Sequence, residues 1–144
     1  MNTMSIRTAS AVWEGGLVKG KGTFKVQSGS VGGEYSFPTR FQEKPGTNPE
    51  ELIGAAHASC FSMAFSAELE AAGFTPTSIS TTAKVHLDKV GDGFSITKIE
   101  LITEGIVPNI DEATFQETAA GAKVGCPVSR LLTGAEIVLS ATLK

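Results

Sequence analysis

The sequence predicts an α+β fold in the order βββ-α-ββ-α-β, and three features carry that expectation. The first forty residues break into short strand-like runs bounded by glycines. A long apolar stretch with helix signals at both ends follows them. Beyond it come two alternating runs joined by Gly91-Asp92-Gly93, a second helical stretch and a final alternating run.

The opening runs are "TASAVWEG", "GTFKVQSG" and "EYSFPTRF". Gly15-Gly16, Gly20, Gly22, Gly29 and Gly32-Gly33 punctuate them, the pattern of an antiparallel meander. In "GTNPEELIGAAHASCFSMAFSAELEAAGF", Asn48 suits a helix N-cap and Pro49 the first helical position. Glu50 and Glu51 fall in the first turn, where the helix dipole favours negative charge, and Gly73 suits the C′ position. The helix between these signals runs about 24 residues, roughly 36 Å. Leu52, Ala56, Cys60, Met63 and Ala67 follow helical spacing, yet Ile53, Phe61, Ala64 and Phe65 make the opposite face apolar too. Such a helix needs burial on several sides, which implies a partner chain.

"TTAKVHLDKV" alternates Ala83, Val85 and Leu87 against Lys84, His86 and Asp88, a half-buried strand. Its return strand, "FSITKIELITEGIVP", changes phase near Thr97 and Lys98, which predicts a bulge there. "DEATFQETAAGAKVG" reads as a helix capped by Asp111 and closed by Gly125. "AEIVLSATL" puts Ile137, Leu139, Ala141 and Leu143 on one strand face. No repeat or linker interrupts residues 1–144, so one domain is expected.

Composition narrows the function. A net charge of −3 gives no basic footprint for nucleic acid or an anionic membrane. Two cysteines do not make a disulfide scaffold at this length. The first residues, with Met4 as an alternative start, lack the apolar region of a signal peptide, and the run from Leu52 to Ala67 is short for a bilayer span. A cytoplasmic protein is the expectation.

Gly15 to Lys21 matches the opening of a phosphate-binding loop, but Gly22 replaces the magnesium-binding hydroxyl and a strand follows instead of a helix. A glycine-rich turn is the better reading. His57, Cys60 and the distant Cys126 offer one short ligand pair where a zinc site uses paired short spacings; His57 is read as a hydrogen-bonded core histidine and His86 as a solvated one.

The cysteines themselves differ. Cys126 precedes Pro127 near a helix start, where the dipole favours thiolate. Cys60 lies about three turns into its helix, beyond that effect, and burial should make it inert unless a cation reaches it. Arg40, between Phe37-Pro38-Thr39 and Phe41, is the nearest source of charge in sequence, and Glu50 or Glu51 could pair with it.

These stretches carry a resemblance. "VWEG" with "GKGT" downstream, "TRF", "GTNPEELIGAAHASCFSMA", "GFTPTSI", "ITKIEL" and "AKVGCPVS" resemble the OsmC/Ohr family of thiol-dependent organic hydroperoxide reductases from about Trp13 onward. The resemblance implies an intertwined homodimer with antiparallel sheets wrapped around two long central helices. It implies that Cys60 is the peroxidatic cysteine and Cys126 the resolving one. It places Arg40 as the residue that stabilises thiolate and alkoxide, and Glu50 as the one that orients Arg40. It implies oxidative or osmotic stress defence against organic hydroperoxides, with hydrogen peroxide as a further substrate. The implied reductant is an external dithiol, lipoyl-type or other, and no cofactor or metal is expected. The alternative is a non-enzymatic dimer of the same fold that binds a small ligand or zinc and whose cysteines are structural.

Overall fold

A computed structural model describes residues 5–144 of the chain; Met4 lies outside them. The chain forms two compact units, Met1–Pro49 and Glu50–Lys144.

In the first unit β1 (Ala9–Glu14), β2 (Lys21–Val26) and β3 (Gly32–Tyr35) form the expected antiparallel meander. Its register sets Gly22 opposite both Trp13 and Tyr35. A Cβ at Gly22 would come within 2.5 Å of the Tyr35 ring and 2.8 Å of Trp13, so only glycine lets the two aromatic rings close over this strand. The Gly15–Lys21 stretch is the turn between β1 and β2, closed by the Gly20 N–H donating to the Gly16 carbonyl at 2.8 Å.

The third predicted strand is corrected at its end. Only Gly32–Tyr35 pairs; Phe37–Phe41 is a short helix, α1. The reason is local capping. The Ser36 hydroxyl accepts from the Thr39 N–H, and the Ser36 N–H donates to Thr39 Oγ1 at 2.9 Å, a reciprocal box that starts a helix.

The second unit is built on α2 (Pro49–Ala71). Its C-terminus is the predicted glycine cap: Gly73 has φ +94°, its N–H donates to the Glu70 carbonyl, and the Phe74 N–H donates to that of Leu69. Against it lies a sheet of β4 (Ser78–Val90), β5 (Gly93–Ile106) and β6 (Glu136–Leu143), with Ser62 on α2 hydrogen-bonded to Thr81 on β4 at 2.8 Å. β4 and β5 pair antiparallel around Gly91-Asp92, and Gly91 takes φ +60°. The predicted bulge is present. His86 faces Lys98 while Leu87 faces Ile96, which leaves Thr97 as the extra residue.

β6 pairs parallel to β5, which departs from the expectation of antiparallel sheets. Between them the chain crosses over through α3 (Glu112–Gly125) and α4 (Pro127–Leu131), and a crossover of that kind delivers a parallel neighbour. Asp111 caps α3 as predicted, accepting from the Thr114 N–H.

Phe61, Phe65 and Leu69 of α2, Ile99 and Leu101 of β5, and Phe115, Ala119 and Ala122 of α3 form the fully buried core. Phe65 stacks between Phe61 and Phe115, with centroids 5.7 and 5.2 Å away. Gly105 makes room for this stack, because a Cβ there would meet the Phe115 ring at 2.6 Å.

α2 buries one stripe, Glu50, Gly54, His57, Phe61, Phe65 and Leu69, not several sides. Its other face is open, and Met63 there is 76% exposed. The full helix, at 23 residues, is long and apolar enough to cross a membrane by length and composition alone, contrary to the expectation from the shorter apolar run. Its buried stripe, however, carries Glu50 and His57 and packs on a sheet, as the core helix of a globular unit does.

Candidate active site

Cys60 and Cys126 come together. Cys60 borders the buried stripe of α2 next to Phe61 and is half-buried, whereas Cys126 is fully buried. Cys126 is the hinge between two helices: it closes α3 by donating its N–H to the Ala122 carbonyl and opens α4 by accepting from the Arg130 N–H. Its ψ of 124° breaks the helix, the conformation that a following proline enforces. The two sulfur atoms lie 2.8 Å apart, within hydrogen-bond distance. Neither is in a disulfide.

The pair is electrostatically unequal, as the sequence suggested. Burial pushes the Cys60 thiol up, and the neighbouring Cys126 adds to that. Burial also acts against the Cys126 thiolate, but the hydrogen bond from Cys60 and the α4 donors around Ser129 and Val128 outweigh it and bring its pKa down.

His57, on the same stripe one turn before Phe61, is fully buried and bonded through Nε2 to Ser129 Oγ at 2.7 Å. Burial holds its pKa below the ordinary histidine value. This is the core histidine that the sequence predicted. Ser129 was not foreseen as part of the site; the signal was its place three residues after Cys126, at the end of the "GCPVS" run. His86, expected to be solvated, has a side chain that is 37% exposed and pairs there with Glu100, its Nε2 2.5 Å from the carboxylate. Among the described residues no three His, Cys, Asp or Glu side chains converge as a metal site requires.

Of the two glutamates that open α2, Glu50 is buried and Glu51 exposed. Arg40 belongs to the first unit, in the last turn of α1, with its guanidinium 5.2 Å from the Phe41 ring centroid. It borders an apolar cavity of about 240 Å³ lined also by Trp13, Leu17, Tyr35, Phe37 and Phe41.

Residues 41–141 match the family model described as OsmC-like protein. The chain is 57% identical over 139 residues to peroxiredoxin OsmC of Escherichia coli strain K12, which covers 96% of each chain. Its fold matches the crystal structure of an organic hydroperoxide resistance protein from Elizabethkingia anophelis at a TM-score of 0.81, with 25% identity and all of both chains covered. It also matches the organic hydroperoxide resistance protein OhrB of Bacillus subtilis at a TM-score of 0.72, with 25% identity over 95% of this chain and 98% of that one.

Proposed function

The chain belongs to the OsmC-like protein family, and on that premise we propose that it is a thiol peroxidase that reduces organic hydroperoxides to alcohols through Cys60 and Cys126. One observation supports this reading above the rest: two free thiols 2.8 Å apart, one half-buried and one sealed. A structural cysteine pair has no need of that asymmetry, whereas a peroxidase needs one sulfur that peroxide reaches and a second held beside it.

The cycle starts when the Cys60 thiolate attacks the terminal peroxide oxygen, which breaks the O–O bond and leaves sulfenic acid and an alkoxide that takes up a proton. Arg40 favours both the thiolate and the developing alkoxide, and the Glu50 carboxylate orients its guanidinium by a bidentate contact. Cys126 then displaces hydroxide from the sulfenic sulfur and forms a disulfide, which an external dithiol of lipoyl or similar type reduces. The apolar side chains around Arg40 favour organic over inorganic peroxide. The protein is cytoplasmic and serves oxidative or osmotic stress defence. No flavin, haem or metal enters these steps.

The test is stoichiometric. Purified reduced protein mixed with cumene hydroperoxide should consume one peroxide and two thiols per chain, and its mass should fall by two hydrogens. Dithiol should restore the thiols and sustain turnover. Unchanged thiols after excess peroxide would leave the non-enzymatic alternative standing, with metal analysis of the same sample to decide whether zinc occupies the cysteines.

The open face of α2 supports a homodimer. An apolar helix face with Met63 76% exposed is unstable against water, and a second copy of the same helix supplies its cover. The dimer should persist on dilution until the protein unfolds, so that the unfolding midpoint rises with protein concentration. Sedimentation at micromolar concentration that finds a folded monomer would contradict this.

A further inference from the structure

The peroxide cycle gives His57 no task, yet this buried imidazole lies against the helix that carries the second cysteine. Burial favours its neutral form, in which one ring nitrogen carries the proton and the other does not. Nδ1 has no hydrogen-bond partner among the described residues, and Nε2 is 2.7 Å from Ser129 Oγ. A proton on Nδ1 would bury an N–H with no acceptor, the costlier of the two arrangements and the rarer in folded proteins. The proton therefore belongs on Nε2, and His57 donates to Ser129.

A hydroxyl that accepts from histidine has its own hydrogen left to place. Ser129 follows Cys126 by three residues, buried in the first turn of the helix that Cys126 N-caps, and its hydroxyl favours the Cys126 thiolate. Sulfur is a weak acceptor as a thiol and a strong one as a thiolate. The chain of donors therefore runs from His57 Nε2–H to Ser129 Oγ–H to a negative sulfur on Cys126.

We propose that His57, acting through the Ser129 hydroxyl, is a positioning residue that holds Cys126 as the attacking thiolate of the resolving step. The proposal rests on the assignment of Cys126 as the resolving cysteine. In that step the Cys126 thiolate attacks the Cys60 sulfenic sulfur, the S–S bond forms and the S–O bond breaks. Cys126 is oxidised and the Cys60 sulfur reduced. The proton that Cys126 gave up goes to the departing hydroxide, which leaves as water. His57 and Ser129 keep their own protons throughout.

Two measurements test this. In a Cys60→Ser background Cys126 is the only thiol, and its titration is followed by thiolate ultraviolet absorbance. His57→Leu and Ser129→Ala should each raise the midpoint by about one pH unit, the change expected for one lost hydrogen bond to a charged sulfur. Ser129→Thr keeps the hydroxyl and should restore the midpoint, which separates donor loss from disturbed packing; if His57→Leu does not fold, the serine pair decides alone. With both cysteines present, quenched-flow mass analysis should find disulfide formation slowed about tenfold while Cys60 oxidation by cumene hydroperoxide is not slowed. An unmoved midpoint overturns the proposal, and so does a moved midpoint with an unchanged rate of disulfide formation. Failure of the resolving assignment itself is distinguishable, because the unmodified protein would then form no Cys60–Cys126 disulfide while the titration still reports on the donor chain.

Discussion

Replacing Cys60 by serine should lower peroxide reduction by on the order of a thousandfold or more, while Cys126→Ser should still complete one turnover and leave a trappable sulfenic acid on Cys60. The expectation sets access against charge, since within the second unit the thiolate is favoured on Cys126 and disfavoured on Cys60. Access wins. Cys126 has 0% of its surface exposed, so no peroxide reaches it, whereas Cys60 is half-buried. Burial first, and then the Cys126 neighbour, hold the Cys60 thiol up. Cys126→Ser removes the second influence, so the pKa of Cys60 should fall. Because thiolate is the reactive form, its fraction rises as pH rises through that pKa. The single-turnover rate of Cys126→Ser should therefore climb at a lower pH than Cys60 oxidation in the unmodified protein. Stopped-flow peroxide consumption with sulfenic acid trapping measures both effects. Peroxide reduction at near the unmodified rate in Cys60→Ser would reverse the two roles.

Local signals in the chain made most of this architecture legible. The Gly73 cap, the Asp111 cap, the turn at Gly91-Asp92 and the bulge at Thr97 are all set by near neighbours, and each stands where the sequence places it. The misreadings arose where competing local rules overlap or where long-range pairing decides. Phe37–Phe41 has a strand-like composition, but the Ser36–Thr39 capping box lies inside it and prevails. The parallel placement of β6 depends on the crossover through α3 and α4, which no strand pattern encodes. The site divides in the same way. Two cysteines in separate motifs were visible as a pair and their unequal acidity followed from helix position. Ser129 was hidden, because a serine after Cys-Pro-Val looks like any first-turn helix residue until the fold brings His57 to it.

Arg40→Met should raise the thiol pKa of Cys60 and slow its reaction with peroxide by on the order of a hundredfold, equivalent to about 2.7 kcal/mol of transition-state stabilisation. Cys60 lies in mid-helix, past the reach of the α2 dipole, and burial and its neighbour act against its thiolate more strongly than the Val128 N–H acts for it. A cation from elsewhere is needed to reverse that, and Arg40, beside an apolar cavity that suits an organic peroxide, is the proposed source. Arg40→Lys keeps the charge and loses the planar fork that a carboxylate grips, so it should rescue only part of the rate. The sign of the pH effect follows from the thiolate requirement: with the pKa raised, the rate of Arg40→Met should begin its rise at higher pH, and the deficit should shrink as pH increases. The measurement is the pH dependence of Cys60 alkylation beside peroxide kinetics, both on a Cys126→Ser background so that one thiol is observed. An unchanged alkylation profile together with an unchanged peroxide rate would remove Arg40 from the mechanism and leave the activation of Cys60 to some other cation.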